Sequence, residues 1–283
     1  MKRFACLFCL IALAVLPAIA QELAESSDSA GPIKTRRQGL PRSMRPHEEG
    51  YDFSRHVKVS YNTGWAGYAV TGSDFSYVQG SWIVSAVNCN KTPNTDSSEW
   101  VGIDGWTSTS ATVEQIGTDA DCNGESPYYW VWYEFYPYGS VVINSVSISP
   151  GDTFSASVTY DGNKYYTVAI KNESTDESFS KKVKFNGAYK SGPPKRNSAE
   201  WIMEMDGNEL SDFGVDPFGE AYTGYLNDIA TDSKVDMGVI KAFGNDVYES
   251  ITTKNGTKNS PVTAQPSALA SDGASFTVTW KRE

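Results

Sequence analysis

Beyond Tyr61 the chain is written in short runs of Val, Ile, Thr, Tyr, Phe and Trp, cut by Gly, Asp, Asn and Pro. Such runs fit strands of period 2 between turns, and a long succession of them is the pattern of an all-β sandwich or barrel. Candidate strands cover 65–70, 75–86, 99–104, 112–117, 128–136, 142–148, 153–160, 164–171, 178–185 and 199–205. Further strands are expected over 234–242, 247–253 and 275–281. The run Tyr160-Asp161-Gly162-Asn163-Lys164 reads as a hairpin, because Asp-Gly readily takes the positive φ of a tight turn. No window shows helical period beyond one short turn within 219–229.

One candidate strand departs from the apolar pattern. In Ser198-Ala199-Glu200-Trp201-Ile202-Met203-Glu204-Met205-Asp206, alternation puts Glu200, Ile202 and Glu204 on one face and Trp201, Met203 and Met205 on the other. A charged face in mid-strand marks a site, and the opposite face reads as core. About a hundred residues earlier, Ser97-Ser98-Glu99-Trp100-Val101-Gly102-Ile103-Asp104-Gly105 repeats the pattern of Glu, Trp and an aliphatic before a further acid. The two strands are expected to face a common groove.

The 283 residues, 40% of them hydrophobic, can fill a sizeable core. Lys2 and Arg3, the apolar run 4–16 and Pro17-Ala18-Ile19-Ala20 form an export signal over 1–20, too short in its apolar part to span a bilayer. Secretion, extracellular or periplasmic, follows, with no membrane attachment of the mature form. Cys6 and Cys9 leave with the signal, so Cys89 and Cys122 are expected to form one disulfide in an oxidising compartment.

Charge is unevenly spread. The net charge of −10 hides −13 over residues 61–283, offset by +2 in the signal and +1 in 21–60. No Lys or Arg lies between Lys91 and Lys164. So acidic a body argues against nucleic acid and anionic membranes as partners. Residues 21–58 lack apolar periodicity and carry Lys34, Arg36, Arg37, Arg42 and Arg45. They read as a basic pro-segment before a domain over 59–283, held by charge against an acidic groove at neutral pH and released as the groove protonates.

Both histidines, His47 and His56, fall in that segment. The body therefore cannot build a Ser-His-Asp or Cys-His centre or the usual His-ligated zinc. It has no phosphate-binding glycine loop either. Carboxylate, amide, hydroxyl and tyrosine remain for chemistry, with no metal and no cofactor expected.

Seven blocks then fall in one order: Asn62-Thr63-Gly64-Trp65-Ala66-Gly67-Tyr68, Gly80-Ser81-Trp82-Ile83-Val84, Trp100-Val101-Gly102-Ile103-Asp104-Gly105, Glu114-Gln115-Ile116-Gly117-Thr118-Asp119, Tyr133-Glu134-Phe135-Tyr136-Pro137, Ile148-Ser149-Pro150-Gly151-Asp152 and Glu200-Trp201-Ile202-Met203-Glu204. In these the chain resembles the glutamic peptidases, or eqolisins. The resemblance implies a β-sandwich of two curved, seven-stranded antiparallel sheets, lectin-like, with a substrate groove on a concave face. It implies a metal-independent, pepstatin-insensitive, acid-active endopeptidase acting on polypeptides. Carried over by position, the catalytic pair falls on Gln115 and Glu204, and groove residues fall on Trp65, Trp100, Asp104, Asp119, Trp132 and Glu134.

Such a pair makes chemical sense. A glutamate can take a proton from water and return it to the leaving amine, and a glutamine can hold the oxyanion without titrating in acid. Two other classes fit a concave aromatic face: a glycoside hydrolase using Glu134 and Glu204, with carboxyl groups about 5 Å apart if retaining, and a non-catalytic carbohydrate-binding module. Neither needs Gln115. The enzyme is expected to work as a monomer.

Overall fold

The computed structural model describes residues 48–52, 57–185, 192–207 and 209–281, all within one compact unit, Ile33–Glu283. The export signal and the basic cluster at 34–45 lie outside the described residues. In chain order the first strands are β1 Glu48–Asp52, β2 Val57–Asn62, β3 Trp65–Thr71, β4 Tyr77–Ile83, β5 Ser98–Ile103 and β6 Val113–Asn123. There follow β7 Ser126–Tyr136, β8 Val141–Ile143, β9 Thr153–Gly162, β10 Tyr165–Asn172, β11 Glu177–Lys184 and β12 Ser198–Glu204. The last are β13 Val215–Phe218, β14 Ile229–Thr231, β15 Gly238–Val239, β16 Val247–Thr253, β17 Val262–Pro266 and β18 Phe276–Trp280.

The fold is an all-β sandwich. One layer runs β1-β2-β16-β3-β12-β5-β6-β7-β8, antiparallel throughout except for the parallel pair β2 and β16. The other runs β11-β10-β9-β4. Instead of two separate seven-stranded sheets, the described strands form one continuous ladder, because β13, β18 and β17 carry hydrogen bonds from β4 round to β16. Between the layers lies the main core, with Trp82, Trp201, Phe154, Phe218 and Phe276 fully buried. Trp201 donates its indole N–H to the Gln79 carbonyl at 2.7 Å, and Trp82 to Thr118 Oγ1 at 2.8 Å, so each ring is buried with its polar atom satisfied.

Strand periodicity explains most of these elements. β10 alternates half-buried and buried residues as a strand with one covered face should, whereas every residue of β12 is buried. Both faces of β12 are therefore covered, one by the core and the other by the groove aromatics. The expected hairpin forms between β9 and β10, with positive φ at Gly162, Asn163 and Lys164. The expected short turn is the helix α1, Glu220–Thr223.

The sequence reading misplaces two segments, and in the first, 142–148, the strand ends at Ile143. Most of 234–242 is not strand: β15 has two residues, and a 3₁₀ helix over Ile240–Asp246 follows. Ile240 and Phe243, three apart, both turn inward, which suits a three-residue helical repeat. Phe243 stacks on Phe75 at 5.8 Å. The expected domain border near 58 falls inside β2, where Lys58 pairs with Tyr51 of β1 on one side and Tyr248 of β16 on the other.

Candidate active site

Residues in register on adjacent antiparallel strands point to the same face of a sheet. Across β12, β5, β6 and β7 this sets three rows on the face away from the core. The first is Glu200, Gly102, Gln115 and Glu134; the second is Ile202, Trp100, Gly117 and Trp132; the third is Glu204, Ser98, Asp119 and Trp130. The rows are separated by one pleat repeat each. A second apolar cluster of Trp65, Ala69, Trp100, Trp106, Val113, Trp130, Trp132 and Ile202 lines this face.

The register puts Glu200, and not Glu204, in the row of Gln115. Between them stands Gly102, where a Cβ would lie 3.1 Å from the Cβ of Gln115 and 3.0 Å from a ring carbon of Trp100. The missing side chain leaves room between amide and carboxyl. Strand spacing places the Cα atoms of Gln115 and Glu200 about 10 Å apart, within reach of two converging side chains and one water, whereas Gln115 and Glu204 are separated by about 16 Å. The sequence reading paired Gln115 with Glu204; period 2 gives Glu200 and Glu204 the same face, and the cross-strand register sets them in different rows.

Gln115 donates from Nε2 to Glu134 Oε2 at 2.7 Å. Its Oε1 is buried and has no partner, as are both carboxyl oxygens of Glu200. Burial pushes the Glu200 carboxyl well above the usual range, opposed by the Ser198 hydroxyl and reinforced by the charge of Asp104. Burial thus favours the neutral form of Glu200, in the row that also carries the Gln115 amide.

Glu204 accepts the Trp100 indole N–H at 2.9 Å, and Asp119 accepts that of Trp132 at 2.6 Å. These two acids fix the orientation of the two aromatic rings of the second row. Trp65 meets Trp100 edge-on with centroids 4.9 Å apart, and Trp106 stacks on Trp65 at 6.4 Å. Trp65, Trp100, Asp119, Trp132 and Glu134 thus gather on one face with Gln115.

Asp104 does not join them. Its φ of 74° breaks the strand alternation, and its carboxylate accepts the backbone N–H groups of Lys195, Arg196 and Asn197 at 2.7, 2.7 and 2.9 Å. It anchors the approach to β12, and its charge acts on the Glu200 carboxyl. Burial raises its pKa while those N–H bonds lower it.

Two features escaped the sequence reading. Trp106 lies in the loop after β5 and carried no periodic signal, and Trp130 donates its indole N–H to Asp121 Oδ2 at 3.1 Å. The core side also holds buried acids, Glu99 on β5 and Asp216 on β13. Glu99 accepts from Thr118 Oγ1 at 2.9 Å, and Asp216 accepts from Ser85 Oγ at 3.0 Å. The disulfide expected between Cys89 and Cys122 is present, with Cα atoms 5.3 Å apart. The glycosidase pair has no support in this geometry: Glu134 and Glu204 are three strands and two pleat repeats apart, and Glu134 is engaged with Gln115.

Comparison with known proteins agrees with the fold. Aspergillopepsin-2 of Aspergillus niger is 27% identical over 216 residues, 66% of this chain and 75% of that protein. Scytalidopepsin B of Scytalidium lignicola is 30% identical over 159 residues, 56% of this chain and 57% of that protein. The crystal structure of scytalido-glutamic peptidase with a transition-state analogue inhibitor superposes with a TM-score of 0.60 at 21% identity, over 78% of this chain and all of that one. The model of the Peptidase A4 family matches residues 63–269, well over half of the sequence. The chain is a peptidase and belongs to the Peptidase A4 family of glutamic peptidases.

Proposed function

We propose that the protein is a secreted endopeptidase working in acid, with Gln115 and Glu200 as its catalytic pair. The observation that carries this is the row Glu200, Gly102, Gln115 and Glu134, in which a carboxyl and an amide flank a glycine and keep buried, unpartnered oxygens. A water between them would be oriented by Gln115 Oε1. Glu200 takes its proton as the water oxygen bonds to the scissile carbonyl carbon. The second N–H of Gln115 faces the developing oxyanion, and its first is held by Glu134. Glu200 then gives the proton to the amine nitrogen as the C–N bond breaks. Burial favours the protonated carboxyl of Glu200, the form that returns the proton to the amine, while its ionised form is the one that takes the proton from water. No step calls on a metal ion.

Polypeptides are the substrates, and the aromatic face beside the row offers them apolar subsites. Export by residues 1–20 and cover of the groove by the basic leader belong to the same proposal, on the strength of the charge contrast along the sequence. The test is hydrolysis of a denatured protein by the purified mature chain across pH 2 to 7, with pepstatin and a chelator present. Activity in acid that survives both reagents and is lost in Gln115→Ala is expected. Activity abolished by the chelator, or unaffected by Gln115→Ala, would overturn the reading.

A further inference from the structure

Positive charge is concentrated in one part of the second layer. Eight of the fifteen Lys and Arg residues beyond Tyr61 fall within 164–196, against three acids, in a body whose net charge is −13. Three of the eight, Lys181, Lys182 and Lys184, stand on β11, an edge strand that pairs with β10 alone among the described strands.

Strand parity gives the outer face of this layer a single chemistry. The even-numbered residues of β10 are buried, so Tyr165 and Thr167 face outward, and the register sets Lys184 and Lys182 of β11 beside them. The rows next to these hold Ser178 and Ser180 on β11 and Ser157 and Thr159 on β9. Lys182 and Lys184 are exposed, and their ammonium groups lie 5.3 and 5.4 Å from the centroid of the Tyr165 ring. An aromatic face attracts an ammonium, so the one ring steadies both cations, whose Cα atoms stand about 7 Å apart along the strand. Asp161 reaches Lys182 at 3.4 Å, and Lys184 makes no ion pair among the described residues. None of the large exposed hydrophobic residues described lies on β9, β10 or β11.

Lysine on an edge strand also discourages pairing with another chain. That role needs charge along the edge; it does not call for a ring shared by two ammonium groups, nor for a face of hydroxyls running across three strands.

We propose that the outer face of β9, β10 and β11 docks the protein on an acidic polysaccharide, with sugar carboxylates against Lys182 and Lys184 and sugar hydroxyls against Thr167, Ser178 and Ser180. Charge complementarity selects a polyanion, and the −13 of the body confines it to this face. Hydroxyls without apolar neighbours suit a sugar polymer better than a lipid surface, whose hold on a protein grows with the apolar area that enters it. The face looks away from the layer that carries Gln115 and Glu200, so a bound polymer leaves the groove open, and the inference stands apart from the peptidase reading.

Electrophoresis of the purified mature chain through a gel containing polygalacturonate tests this, with the basic leader absent. Wild type should be retarded at low salt and released near ~1 M, where the screening length is about 3 Å. Lys182→Gln with Lys184→Gln should weaken the apparent affinity about three- to tenfold, the scale of two exposed ion pairs, with kcat/KM on a capped peptide and the thermal midpoint unchanged. Lys182→Arg with Lys184→Arg should keep the retardation. If the Gln pair does not fold, acetylation of wild-type lysines read by mass decides: polygalacturonate should shield Lys182 and Lys184 and leave Lys241, exposed on the 3₁₀ helix, labelled as before. No retardation of wild type, equal retardation of the Gln pair, unshielded lysines, or binding to phosphatidylglycerol vesicles as tight as to polygalacturonate would each overturn the proposal.

Discussion

Strands β5, β6 and β12 carry buried acids on both faces, and the two faces treat them differently. On the inner face Glu99 and Asp216 are held by hydroxyls from Thr118 and Ser85, and Glu114 shares that interior with Tyr166. On the outer face Glu204 and Asp119 are held by indoles, and Glu200 is met by the Ser198 hydroxyl of its own strand. No Lys or Arg is among the buried residues described. Both faces thus depend on carboxyls that burial favours in their neutral form. An inner carboxyl lies between the sheets of the core, whereas Glu200 shares a row with the Gln115 amide. Under the proposed function the first stays protonated and the second exchanges its proton.

The largest effect should come from moving a single oxygen on the outer face. Glu200→Gln is expected to lower kcat by ~10³-fold, within the ~10²–10⁴ usual for general acid–base groups, without loss of stability. Glu99→Gln, the matching change on the inner face, should leave kcat within a few fold of wild type. Equal losses of activity in both would dissolve the distinction.

Next in size is the covalent tie on the inner side. Cys122 near the end of β6 is bonded to Cys89, closing a loop of sequence separation 33. Replacing both by Ala should cost about 3–4 kcal/mol of stability in the loop-entropy picture, read as a shifted urea midpoint. At a pH where the fold persists, the activity per folded molecule should be kept.

Burial lifts the Glu99 carboxyl from an ordinary 4.5 to about 7, with the Thr118 hydroxyl and the Ser85 N–H opposing and Asp121 adding to it. Asp216 is raised as well, by burial first and by the Glu99 charge second. Because the folded pKa lies above the unfolded one, the associated stability is complete below about pH 4.5 and is lost as pH rises through 7. The loss attributable to Glu99 alone is about 3 kcal/mol. Urea midpoints should therefore fall between pH 5 and 8, and Glu99→Gln should flatten that fall. A midpoint that rises over the range would contradict the assignment.

These contrasts also mark how far the sequence could be read. Period 2 and turn residues place β3, β5, β7, β9, β10 and β12 within a few residues of their limits, because each has at least one covered face. β1, β13, β14 and β17 were not legible: they are short, and their apolar residues are too few to show alternation. The site's face could be read from Glu200, Ile202 and Glu204, and Trp100 and Trp132 by the same parity. Its centre could not. Choosing between Glu200 and Glu204 requires the register of β12 on β5 and of β5 on β6, which is set by packing across the sheet. Asp104 misled for a related reason, since alternation ends where φ turns positive.

The smallest effect tests that choice directly. Glu204 is 3% exposed and its Oε2 accepts the Trp100 N–H. Gln at this position keeps an oxygen for the indole, so Glu204→Gln should lower kcat by less than about tenfold, the scale of weakening one hydrogen bond. Glu204→Leu removes the acceptor and frees Trp100, whose ring carbon approaches Gly102 in the row of Gln115 and Glu200. Its damage should appear first in KM, because a displaced Trp100 disturbs the groove before it disturbs the proton transfer. The order Glu200→Gln far below Glu204→Leu, and Glu204→Leu below Glu204→Gln, is what the three rows require. If Glu204→Gln instead fell as far as Glu200→Gln, the chemistry would belong to the row of Ser98, and Gln115 would have to be given another role.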